Sequence, residues 1–229
     1  MPELAKHILT TFESSLTALR DQVLDMAQKT ATSVRNAKDG LFREDDDLCN
    51  STIADDEEID QQEKEVDRIG LDVLMRFQPL ASDLRQVIAA MRVCNNLERA
   101  ADQAVSIAKK TRKLSHPPDA DIRGLLSPLF DSATELLLDA VKAYQSGDLG
   151  LARSLKQRDR EVDELNRQAA EFLITRMAER RESIADDVNL LFIARHLERV
   201  GDHAKNIAED VVYAFAAEDI RHVHAPIGV

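Results

Sequence analysis

The chain has 229 residues, with 42 acidic against 30 basic side chains and a formal net charge of -12. A surface that acidic repels nucleic acid and anionic lipid at long range, and it makes free phosphate a poor primary ligand. Seven glycines, six prolines, two tyrosines and no tryptophan leave little turn chemistry or aromatic content for a sheet-rich fold, so helices are expected throughout.

The opening residues MPELAKHILTTFESSL lack the basic start and unbroken apolar stretch of a signal peptide, and nowhere does an apolar run reach the roughly 18 residues of a membrane span. Cys49 and Cys94 have no CxxC or CxxH neighbourhood, which argues against a structural zinc site or a disulfide framework and fits a reducing compartment. A cytoplasmic protein is expected.

In chain order, the first predicted helix covers residues 3–36 and stops at the breaker Lys38-Asp39-Gly40. The acidic run Arg43-Glu44-Asp45-Asp46-Asp47 reads as a solvated linker. A second helix is predicted over 53–77, ending at Gln78-Pro79, and a third over 89–107. In that third helix Ala90, Val93, Leu97, Ala101, Ala104, Val105 and Ala108 recur at helical spacing. Ser115-His116-Pro117-Pro118 then breaks the chain. Three more helices follow, over 125–145, 149–177 and 190–212, with Ser146-Gly147-Asp148 between the first two. The segment after Glu218, with His222, His224 and Pro226, shows no period and reads as a frayed tail.

Two runs of three helices suggest an internal repeat. Asn96-Leu97-Glu98-Arg99-Ala100-Ala101-Asp102 matches His196-Leu197-Glu198-Arg199-Val200-Gly201-Asp202 at an offset of 100. Asp56-Glu57-Glu58-Ile59-Asp60 matches Asp159-Arg160-Glu161-Val162-Asp163 at an offset of 103. The first helices align more loosely, Asp21 to Asp25 against Glu135 to Asp139. The expected architecture is all-α: two tandem three-helix bundles related by a pseudo-twofold, occupying residues 1–116 and 117–229.

Residues four apart share a helix face, so Glu98 with Asp102, and Glu198 with Asp202, each present two carboxylates side by side. Asp21/Asp25 and Glu135/Asp139 repeat the pattern on the first helices. Helix neighbours that bring two such pairs together would form a cluster that repels itself unless a cation enters, and all-oxygen ligation suits magnesium, calcium, manganese or iron. Arg99 and Arg199, each following its glutamate, offer the competing solution of a salt bridge. His203, five residues from Glu198, reads as a surface histidine rather than a ligand. Gly201 either packs two helices together or leaves room for a metal beside Asp202. No Glu-x-x-His tetrad, HExxH, GxxxxGK[ST] or GxGxxG occurs, so no catalytic residues are expected.

The strings Leu197-Glu198-Arg199-Val200-Gly201-Asp202-His203-Ala204-Lys205-Asn206-Ile207 and Leu97-Glu98-Arg99-Ala100-Ala101-Asp102, with Gln78-Pro79-Leu80-Ala81-Ser82-Asp83-Leu84-Arg85 entering the first-half helix, resemble the PhoU family over nearly the whole chain. The resemblance implies a cytoplasmic negative regulator of the phosphate-starvation response and of high-affinity phosphate transport. It implies an adaptor between the transporter's ATPase subunit and a sensor histidine kinase, working as a homodimer that touches membrane complexes only peripherally.

It also implies a multinuclear metal, iron or zinc among the candidates, on Asp21, Asp25, Glu98 and Asp102 in the first half and on Glu135, Asp139, Glu198 and Asp202 in the second. The family's usual Arg-Ile-Gly-Asp is Arg-Ala-Ala-Asp in the first half, and the Ala101 methyl narrows the space beside Asp102, so the second half is the expected metal site if only one binds. A metal-storage or buffering protein, and an accessory subunit of a different phosphate transporter, remain open alternatives.

Overall fold

The computed structural model of the chain describes residues 2–221, with side chains from Thr10 onward. Its described residues form seven α-helices: α1 (Pro2–Arg43), α2 (Asp46–Ala54), α3 (Asp56–Phe77), α4 (Ala81–Thr111), α5 (Ala120–Ser146), α6 (Leu149–Glu179) and α7 (Ile184–Ala216), with one 3-10 turn (Arg181–Ser183) before α7. The three-helix units are α1, α3 and α4, then α5, α6 and α7, and α2 is extra to the first. Residue 116 lies in the connection between α4 and α5. His222, His224 and Pro226 lie outside the described residues.

Two expectations for the first half fail, each for a local reason. Lys38-Asp39-Gly40 does not end α1, which runs on to Arg43. Gly40 is a close-approach glycine: a β-carbon there would sit 2.6 Å from Cys49 Sγ of α2. The acidic run is not a linker either. Asp45 accepts hydrogen bonds from the Asp47 and Leu48 amides and so caps α2, while Asp46 and Asp47 lie in its first turn, where negative charge opposes the positive helix end. The predicted helix over 53–77 is therefore divided at Asp55, with Ile53 in α2.

The second half follows its local signals more closely. Asp119 caps α5 through the Ile122 amide, and Asp148 caps α6 through the Leu151 amide. Gly147 terminates α5 at φ 68, a left-handed conformation where a β-carbon is strained and would also meet the Phe215 ring at 3.0 Å.

The halves meet where α4 and α7 pack antiparallel in the largest helix contact of the fold. Small buried residues allow the close approach: Ala100, Ala104 and Ala108 on α4, and Ala194, Ala204 and Ala208 on α7. The pseudo-twofold is explicit in the polar contacts along this seam. His203 Nδ1 lies 3.2 Å from Asn96 Oδ1, and His196 Nδ1 lies 2.9 Å from Gln103 Oε1, so exchanging the halves maps one bond onto the other. Arg92 with Asp210 at one end of the seam likewise exchanges with Lys110 over the Phe192 ring at the other.

His203 is therefore not a surface histidine: it is half-buried in the seam. Burial pushes the pKa of both His196 and His203 down, with Arg199 acting in the same direction. Leu97 and Leu197, at matching positions beside these contacts, are fully buried, and each stabilises the fold by roughly 1.5–3 kcal/mol.

Candidate carboxylate clusters between the second and third helices of each repeat

In the first repeat the groove between α3 and α4 gathers acids from both helices. Asp56, Asp60 and Glu63 follow one face of α3 at helical spacing, and Glu98 and Asp102 face them from α4. Burial pushes the Glu98 carboxyl up to about 7, reinforced by Asp102, Glu63 and Asp60 and opposed by Arg99. Asp56 is raised in the same way, by burial and then by Asp102 and Asp60, with Lys109 pulling it down. Glu98 Oε2 is buried without a hydrogen bond: Arg99 Nε approaches to 3.2 Å but is not aligned to donate. Arg99 also stands 3.6 Å from Asp102. The cluster is thus only partly neutralised, by the exposed Arg99 and at longer range by Lys109.

In the second repeat the groove between α6 and α7 holds Asp159, Asp163, Glu198 and Asp202, and here cations are built in. Lys205 Nζ sits 2.6 Å from Asp159 Oδ2 and 2.8 Å from Asp202 Oδ1. Burial alone would lower the Lys205 pKa, but its bonds to Asp159 and Asp202 outweigh that and the net shift is upward. Arg195 donates to Glu198 Oε1 at 2.6 Å, leaving Glu198 Oε2 buried without a hydrogen bond. Burial raises Glu198 and Asp159, against the pull of Arg195 and Lys205 respectively. The competing salt bridge expected from Arg199 is made instead by Arg195, while Arg199 is exposed.

Gly201 is a packing glycine. A β-carbon there would meet Val162 Cγ1 at 3.1 Å and Asp159 Oδ1 at 3.5 Å, so the space beside Asp202 is already filled by α6.

The structure joins Glu98 with Asp102, and Glu198 with Asp202, but does not bring the first-helix pairs to them. Asp25 is exposed and bonded to Lys29 at 3.1 Å and to Gln62. It lines a separate polar groove of about 280 Å³ between α1 and α3 with Glu58 and Asn36. Asp21 is exposed. Glu135 and Asp139 pair with Arg158 of α6, Glu135 at 3.9 Å.

The acids that do complete the clusters, Asp56 and Asp60 in one half and Asp159 and Asp163 in the other, were visible in the sequence. The alignment that reveals the repeat already matches these two D-xxx-D pairs, at the same spacing of four as the pairs on the third helices.

Among the described residues no three His, Cys, Asp or Glu side chains converge closely enough to hold a metal ion. The two grooves still differ in what they offer one. The first gathers carboxylates around a Glu98 Oε2 that accepts no hydrogen bond, with the exposed Arg99 as the cation nearest to it, and carboxylate oxygens suit a hard cation. In the second, Lys205 and Arg195 hold the positions next to the acids, and its residues do not fit a metal.

These features define a class: a tandem-repeat helical protein whose halves each line a groove between their second and third helices with carboxylates. Residues 23–111 and 126–211 match the PhoU domain. The phosphate-specific transport system accessory protein PhoU homolog of Zymomonas mobilis subsp. mobilis is 34% identical over 75% of this chain and 72% of its own length. The crystal structure of PhoU from Pseudomonas aeruginosa superposes with a TM-score of 0.86 at 30% identity, over 90% of this chain and 100% of that one. That of the phosphate transport system regulatory protein PhoU from Streptococcus pneumoniae gives 0.85 at 28% identity, over 91% and 99%. The chain belongs to the PhoU family.

Proposed function

We propose that this chain is a negative regulator of phosphate transport and of the phosphate-starvation response. It acts without catalysis, as an adaptor between the ATPase subunit of a high-affinity phosphate transporter and a sensor histidine kinase. The observation that carries this reading is the likeness, over nine tenths of the chain, to a solved protein named as a phosphate transport system regulatory protein. The physical basis is complementary charge: a protein of net charge -12 presents acidic helix faces that favour a basic partner surface and disfavour nucleic acid.

The setting proposed is the cytoplasmic side of the membrane, as a homodimer. In keeping with this, no helix among the described residues is long and apolar enough to cross a membrane.

In the first groove, Asp56, Asp60, Glu63, Glu98 and Asp102 would hold a bound metal. Such an ion would neutralise their mutual repulsion and fix them as one face. Metal buffering as the protein's purpose is the weaker reading, because the second groove already contains its own cations.

The test is a phosphate-starvation promoter in phosphate-replete cells lacking this protein. High activity in the deletion, silenced when the wild-type copy is restored, supports negative regulation. A promoter indifferent to the deletion removes the signalling role.

A further inference from the structure

The repeat makes the two grooves comparable position by position, and the cations bonded to the second groove's acids have no cationic counterpart in the first. At the offset of 100, Lys205 corresponds to Val105, which is buried, and Arg195 corresponds to Asn95. At the offset of 103, Arg158 corresponds to Asp55. Every cation that touches an acid of the second repeat's pairs is thus an uncharged or acidic residue in the first.

From this geometry we infer that Lys205 is a tethered counter-ion that takes the place of a metal in the second groove, so that divalent-cation uptake is confined to the first. The part of this inference that concerns uptake rests on the metal reading proposed above; the part that concerns Lys205 does not.

The lysine has three advantages over a free ion. It is covalently tethered, so it occupies the site at an effective concentration no dissolved metal matches. Its ammonium already bridges one carboxylate from each helix, Asp159 on α6 and Asp202 on α7, which is the bridging role a metal would have. A metal entering there would have to expel a half-buried ammonium from both partners and leave it unpaired in a tight groove, which is strongly unfavourable. Gly201 contributes by letting α6 close in, with Asp159 Oδ1 within van der Waals reach of the missing β-carbon. The first groove has Ala101 in that place and no side-chain ammonium within bonding distance of Glu98 or Asp102.

The experiment uses the full-length protein, stripped with a chelator and titrated with Mn²⁺ alone, with bound ion counted by electron paramagnetic resonance. Wild type is expected to bind Mn²⁺ in the first groove only: Glu98→Gln with Asp102→Asn removes the binding, and Glu198→Gln with Asp202→Asn leaves it. Lys205→Met, with unchanged helical circular dichroism, is expected to gain a second site that is lost again when Glu198→Gln is added. A wild type that binds nothing while Lys205→Met gains a site would sink the first-groove metal reading and uphold the counter-ion. A folded Lys205→Met that gains no site, or a wild type filled in both grooves, overturns the inference.

Acetylation of Lys205 in the wild-type protein, followed by mass spectrometry, needs no variant. Its rate is expected to stay within about two-fold when Mn²⁺ is added. A rise of ten-fold or more would mean that the metal displaces the ammonium, and the inference would fail.

Discussion

The far ends of the two α-hairpins, one in each repeat, solve the same packing problem with opposite chemistry. Between α6 and α7, Arg176 approaches Asp187, which is fully buried, while Ser183 donates to the other carboxylate oxygen at 2.7 Å. At the corresponding positions between α3 and α4 stand Val73 and Val87, both buried. The grooves differ in the same direction, with Lys205 and Arg195 in one and Val105 and Asn95 in the other. The helix geometry therefore does not depend on the ion pairs, because the same backbone forms without them. What the second repeat adds is internal charge compensation by Lys205 and Arg195, and what the first retains is acid only partly compensated, by Arg99.

The largest expected effect breaks this comparison at the hairpin end. Arg176, which also pairs with Asp119, is the cation beside the fully buried Asp187, so Arg176→Val leaves that carboxylate without one and should cost about 3–5 kcal/mol, the usual range for removing one partner of a buried pair. The double replacement Arg176→Val with Asp187→Val copies the first repeat and should recover most of that loss. Urea denaturation of both variants measures the difference, and a double variant no better than the single one would show that the two hairpins are not interchangeable.

The two ends of the seam give the next effect. Burial raises the Asp210 carboxyl to about 6, against the pull of Arg92 and, at longer range, Arg221, with Glu209 adding to the rise. Its unfolded pKa is near 4, so the native state binds the proton more tightly and stability falls as pH climbs from about 4 to 6. Asp210→Asn removes that contribution. Relative to wild type it should gain up to about 3 kcal/mol between pH 4 and pH 7, read from parallel denaturation series. At the opposite end Lys110 lies over Phe192 and adds only the smallest of the effects that hold His196 down, after burial and Arg199, so Lys110→Met should change the pH slope less than Asp210→Asn.

A smaller effect compares Gly201 with Ala101. Gly201→Ala must push Val162 aside, and the crowding exceeds the gain in helix propensity to give a net cost of about 1 kcal/mol. Ala101→Gly loses both a buried methyl and helix propensity, for about 1 kcal/mol in the same sense. Thermal melting of the two variants resolves both. A stabilised Gly201→Ala would show that the α6 contact is looser than the 3.1 Å approach implies.

Much of this architecture was legible in the sequence because periodicity and repetition are local signals. The apolar stripe through Leu97 and its copy through Leu197 fixed the two seam helices, and the E-xxx-D pairs located one side of each groove. The other side was missed although Asp56 to Asp60 and Asp159 to Asp163 were aligned. Which neighbour a helix face meets depends on how α3 and α6 rotate in the bundle, and spacing within one helix carries no record of that rotation.

The same limit hid Lys205. Three residues from Asp202 it reads as a helix-surface lysine, and only the approach of α6 brings Asp159 to it. Gly40 misled for the opposite reason, since a glycine needed for a tight contact with Cys49 looks in sequence like a helix breaker.

The central proposal, that a regulator of phosphate transport meets its partner through acidic helix faces, with the first groove supplying the face, is tested most directly by co-purification of the transporter's ATPase subunit from phosphate-replete cells. The comparison is between wild type, Glu98→Gln with Asp102→Asn, and Glu198→Gln with Asp202→Asn, expressed at equal levels. The account predicts at least a ten-fold loss of the ATPase with the first pair and less than a two-fold change with the second. Equal retention by both variants, or loss confined to the second, would contradict it.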